Sequence, residues 1–174
     1  MSLLSSETLS RFVQLFTLNN ADTTQRVTER LMLALRNPAA YQEQFAEELE
    51  ERGIVAVLPE QELRDLALID ALLSEDLLWE SDWKETVGEV AEGLNEILTR
   101  QNQAVRLRPA ALVSRREAGP EQLDTVQDAL EAVGLALVLF TLDSDSHPLS
   151  VVADAQAEEV RQLAKELGFG VTVY

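Results

Sequence analysis

Asp143, Asp145 and His147 alternate within Asp143-Ser-Asp-Ser-His-Pro148, and His147 is the only histidine in the 174 residues. Alternate side chains of an extended segment project to one side, so two carboxylates and an imidazole there could hold a divalent cation. That donor set would suit a metal-dependent hydrolase or a small-molecule binder. Thr141, Ser144 and Ser146 add hydroxyl oxygens nearby. Zinc fits least, because the chain has no cysteine and no second histidine. A hairpin loop needs the same residue types for another reason. Asp and Ser side chains satisfy local backbone groups, and Pro148 restricts His147 to extended conformations. Both readings stand at this level.

A second group is Leu78-Trp79-Glu80-Ser81-Asp82-Trp83-Lys84-Glu85, which sets two tryptophans four apart among acids. On a helix they would share a face; in a loop they would clamp against neighbouring helices. Tryptophan is enriched at binding hot spots. In a chain with so few aromatics the competing reading is a partly buried core residue. The expected contact residues for a partner are Glu75, Asp76, Trp79, Glu80, Asp82 and Trp83. Lys84 between its acids reads as a surface ion pair of small worth.

Other chemistries find little support. There is no Gly-x-Ser-x-Gly elbow, no Walker motif and no dinucleotide fingerprint. Pairs such as Glu47/Glu48 and Glu50/Glu51 sit on amphipathic helical patterns and read as solvated faces. The net charge is −17, and residues 41–100 alone hold 17 acids against four bases. Such a field repels phosphate backbones and anionic membranes, so nucleic acid and membrane are excluded as expected partners. Arg106, Arg108, Arg115 and Arg116 form a small basic island. The acidity serves solubility, or it forms a face for a basic protein partner whose binding weakens with salt.

The elements that must position these residues follow from periodicity. Helices are predicted from about Ser6 (Leu9, Phe12, Val13, Phe16 inward) to Asn19-Asn20, and from an Asp22 or Thr23 cap to Asn37-Pro38. A third is predicted over 38–52, with Tyr41, Phe45 and Leu49 aligned and Gly53 at its end. Ile54-Val-Ala-Val-Leu58 suggests a short strand or a buried linker. Pro59 then opens a helix to about Ser74 that is apolar over most of its circumference, hence central. The next spans about 86–100, where Gly93 and Gly88 weaken it unless close packing needs them. Gln101–Gly119 reads as a boundary. Beyond it come a helix from Pro120 to Gly134, β-type runs at 135–142 and 149–153 around the polar turn, a helix over 154–167 and a strand at 170–174.

The fold expected is α+β: a helical N-terminal half (1–104) with a small C-terminal α-β-β-α-β mixed sheet (105–174), helices on one face, in one compact domain. No apolar run reaches the ~20 residues that span a bilayer, and no signal peptide is evident at the start. The absence of cysteine suits a cytoplasmic protein.

Asp82-Trp83-Lys84, with the pattern Gly134-Leu through Leu142-Asp-Ser-Asp-Ser-His-Pro-Leu149 and its closing helix, resembles a family of uncharacterised bacterial domains of unknown function over about residues 59–174. The resemblance implies a bacterial cytoplasmic protein and supplies no reaction. It also implies an aromatic residue as the frequent occupant at His147, which favours Asp143 and Asp145 over the histidine as functional groups. The functional expectation is a non-enzymatic binding or regulatory protein that meets a basic partner through its acidic surface, in the manner of immunity proteins. It needs no cofactor. The alternative is the divalent-metal site at Asp143, Asp145 and His147.

Overall fold

Helix α1 (Ser6–Thr17) buries Leu9, Phe12, Val13 and Phe16 along one stripe, the spacing read from the sequence. The structure, a computed structural model, describes residues 6–18, 20–82, 84–108, 120–142 and 146–174. Asn20, expected to close the first helix, instead caps α2 (Ala21–Arg36) in place of Asp22 or Thr23. Its Oδ1 accepts the Thr23 N–H at 3.1 Å. Asn37 ends α2 through its N–H to the Leu33 carbonyl and caps α3 (Pro38–Gln44) through its side chain. The helix expected over 38–52 breaks at Phe45 into α3 and α4 (Ala46–Glu51). Phe45 leaves helical geometry where its ring sits 4.5 Å from that of Tyr41, with the Arg30 guanidinium 4.0 Å from the Phe45 centroid.

The segment 54–58 is neither a strand nor buried. Val55 and Val57 are 83% and 89% exposed. Helix α5 (Glu60–Leu73) follows and is the central helix that its all-round apolarity implies, with Leu63, Leu66, Leu68, Ile69 and Leu72 buried. Buried Asp65 is satisfied by the Gly170 N–H at 2.7 Å, which pins this helix to the C-terminal end of the chain.

Among the described residues four strands form the sheet: β1 (Trp79–Asp82), β2 (Leu135–Phe140), β3 (Ser146–Ala153) and β4 (Val171–Val173), in the order β1-β3-β2-β4. Every pairing is antiparallel, where a mixed sheet was expected. Helix α8 (Ala157–Leu167) carries the chain from β3 to the far side of β2, so β3 and β4 run the same way without pairing. The helices cover both faces of the sheet, not one. Strand β2 is apolar at both alternations, and each face needs cover. Ala136, Val138 and Phe140 pack on the side of α1, α2, α5 and α8. Leu135 and Leu137 pack with α6 (Val87–Arg100) and α7 (Pro120–Glu131). Buried Gln101 joins these layers, its amide donating to the carbonyls of Phe16 at 2.8 Å and Val151 at 3.0 Å.

Candidate functional site

Trp79 lies on edge strand β1, opposite Leu149 of β3, and so is neither helical nor in a loop. Its half-buried indole faces α6. A Cβ placed on Gly93 would stand 2.2 Å from Trp79 Cδ2, so only glycine at that helical position admits the ring. This is the close packing that the glycine implied. The indole N–H donates to Glu85 Oε1 at 3.0 Å. Burial raises the Glu85 carboxyl above its usual range, and the bond from Trp79 opposes that rise.

Beside the ring an open groove of about 490 Å³ runs between β1 and α6, lined by Leu73, Asp76, Trp79, Glu96, Ile97 and Arg100 among others. The Arg100 guanidinium is turned away from a ligand role. It donates to the Glu75 carbonyl at 2.9 Å and to Thr23 Oγ1 at 2.9 Å, and it lies 3.3 Å from the Glu75 carboxylate. Asp76 and Glu96 are exposed, and among the described residues neither joins an ion pair. Asp76 holds a positive φ of 59°, a conformation that Asp tolerates better than most residues. The groove thus offers an aromatic wall, an apolar floor and two unneutralised carboxylates. That chemistry suits a cationic side chain with an aliphatic stem, such as Lys or Arg.

The other acids of this stretch are already engaged. Glu75 is clasped by Arg26 at 2.8 Å as well as by Arg100, and the hydrogen bond from Arg26 is the main reason its carboxyl is held below the usual range. Glu80 shares the Arg52 guanidinium with Asp70, whose carboxylate lies 2.6 Å from Arg52. Asp70 is only 5% exposed, and burial raises its carboxyl despite Arg52. The hydrogen bonds to Glu80 and Asp70 overcome the burial of Arg52 and raise its own affinity for a proton. Tyr41 accepts from Arg30 Nε at 3.0 Å, and burial pushes its phenol up to about 12. Asp82 Oδ1 is exposed and accepts the Lys84 N–H at 3.0 Å.

Trp83, Asp143 and Asp145 lie outside the described residues. His147 is a half-buried strand residue paired with Ser81, on the sheet face that carries Trp79 and Leu149. Among the described residues no group of three or more His, Asp or Glu side chains is placed to hold a metal ion. Glu96 and Arg100 escaped notice in the sequence. The available signal was Gly93, which stands one turn from Glu96 on α6 and marks the side where a ring approaches.

A family profile described as Domain of unknown function (DUF6630) matches residues 9–174. No curated protein and no solved structure matches the chain.

Proposed function

The chain belongs to the DUF6630 family, and we propose that it is a non-enzymatic binding protein that receives a Lys- or Arg-bearing segment of a partner protein in the groove between β1 and α6. The observation that carries this reading is the pair of unneutralised carboxylates, Asp76 and Glu96, beside the Trp79 ring seated on Gly93. Trp79 supplies the contact face, and the two acids compensate the incoming charge. Glu75 and Glu80, expected as contacts, act instead from behind by holding the groove's supports through Arg100 and Arg52. The −13 charge of residues 41–100 steers the partner toward this side, as an inhibitor or immunity-type protein would steer a basic target. A bacterial cytoplasm is the setting this reading takes.

A fluorescently labelled Lys/Arg-rich peptide tests the proposal by anisotropy. Binding is expected to weaken steeply between about 50 mM and about 500 mM salt. The Asp76→Gly/Glu96→Gln pair should weaken it about tenfold. Glycine keeps the positive φ at position 76, so the variant tests charge and not folding. Glu158→Gln/Glu166→Gln, on α8, removes the same charge elsewhere and should leave affinity within about twofold. Equal losses from both double variants would refute the groove and leave only the general field.

A further inference from the structure

The polypeptide between α4 and α5 presents apolar side chains where a monomer has no use for them. Val55 and Val57 are 83% and 89% exposed, against 38% for Leu73 and 39% for Val133. Single exposed apolar residues are ordinary; two on one short segment at nearly full exposure are not. The segment is also held in place. Gln42 of α3 clamps it with both ends of its amide: Nε2 donates to the Ala56 carbonyl at 2.6 Å, and Oε1 accepts the Leu58 N–H at 3.2 Å. Ile54 and Leu58 are half-buried and anchor the two ends, and Pro59 fixes the chain beyond. The ordering cost of presenting the valines is therefore met before any partner arrives.

The surroundings state the partner's charge. Glu43, beside the clamping Gln42, is exposed, as are Glu50 and Glu51 before the segment and Glu60 and Glu62 after it. None of them joins an ion pair among the described residues. The nearest cations in the chain do not relieve them: Arg52 is committed to Asp70 and Glu80, and the Arg64 guanidinium lies against Gly168. Exposed valines flanked in the chain by exposed glutamates, unpaired among the described residues, complement an apolar contact flanked by bases.

We propose that Val55 and Val57 form a docking ledge for a cationic amphipathic segment of another protein, with apolar side chains on the valines and Lys or Arg against the glutamates. This surface is separate from the β1–α6 groove and does not depend on it.

The test uses the full chain and two synthetic peptides of equal positive charge, one amphipathic with leucines spaced among lysines and one an oligolysine. The wild-type protein is expected to bind the amphipathic peptide about tenfold more tightly than the oligolysine. Val55→Ser/Val57→Ser should abolish that preference while leaving oligolysine binding unchanged. Val55→Thr/Val57→Thr, which keeps the β-branched shape, should reduce it in the same direction. The Asp76→Gly/Glu96→Gln groove variant should retain the preference. A preference that survives both valine variants overturns the ledge. So does sedimentation equilibrium showing a wild-type dimer that the valine variants convert to monomer, since the occupant would then be a second copy of this chain.

Discussion

Glu75 and Asp76 are neighbours in the chain with opposite surroundings. The Glu75 side chain is 13% exposed between two guanidinium groups, from Arg26 on α2 and Arg100 on α6. Asp76 turns out through a positive φ into the β1–α6 groove and joins no ion pair among the described residues. Around the first residue lies a clasp region in which Asp70 and Glu80 are likewise shared out, by Arg52. Around the second lies a region where carboxylates are left over. The difference teaches that the acidity has two uses here. One part joins helices to the sheet. The other remains as unneutralised charge, and only that part is available to a partner.

The sharpest way to break the comparison is to remove a cation from the clasp region. Arg52→Ala leaves Asp70 buried without its counter-charge, and about 3 kcal/mol of stability should be lost near neutral pH, read by urea denaturation. A carboxyl raised in the folded state stabilises below its unfolded pKa, and that contribution is lost as pH rises through the folded value. Asp70 is raised by burial even with Arg52 present. The variant's deficit should therefore shrink as the solution is acidified and Asp70 takes up a proton. A deficit unchanged in acid would show that Arg52 acts through packing instead.

A smaller effect is expected where the groove meets the core. Gly93→Ala should gain about 1 kcal/mol of helix propensity yet lose more to the clash with Trp79, for a net cost of about 1–2 kcal/mol. Tryptophan fluorescence should shift with it as the indole is displaced. A variant more stable than the wild type would mean that the ring moves aside freely and that the groove wall is not fixed.

The smallest effect belongs to Glu75→Gln, at about 0.5–1 kcal/mol near neutral pH, because the clasp is partly exposed and screened. Here the sign is the reverse of Asp70. The Glu75 carboxyl is lowered by Arg26 and Arg100, so its contribution is present above the unfolded pKa and disappears as pH falls through the folded value. The gap between wild type and variant should therefore close as the solution is acidified, read from denaturation curves. A gap unchanged in acid would remove Glu75 from the clasp.

How far the fold was legible depended on whether a residue's role was local. The inward faces of α1, α5 and α6 followed from the 3.6-residue spacing of their leucines and valines, and the run at 135–140 followed from its unbroken apolar character. That same run held the sign that both faces of the sheet are covered, since a strand with one face in water alternates. β1 was illegible. Trp79-Glu-Ser-Asp82 has no strand pattern, and it is a strand because β3 offers an edge and because Arg52 and Gly93 receive Glu80 and Trp79. The opposite error occurred at Ile54–Leu58, whose residues favour a strand but which pairs with no strand among the described residues.

The candidate groove was half legible. Trp79 and Asp76 stood out by type and by company, while Glu96 looked like any acid on a solvated helix face. Its lack of an ion pair among the described residues, beside a tryptophan, is a matter of what α6 packs against.

By itself the sequence determined the α+β class, the helix faces, the family and the concentration of negative charge in residues 41–100. These depend on periodicity, short motifs and counting, which need no knowledge of distant neighbours. Tertiary structure alone decided the strand order and the assignment of each carboxylate to a clasp or to the surface. An ion pair such as Arg100–Glu75 or Arg52–Asp70 forms between residues far apart in the chain. Coulomb attraction acts on spatial distance, which packing sets and sequence spacing does not record.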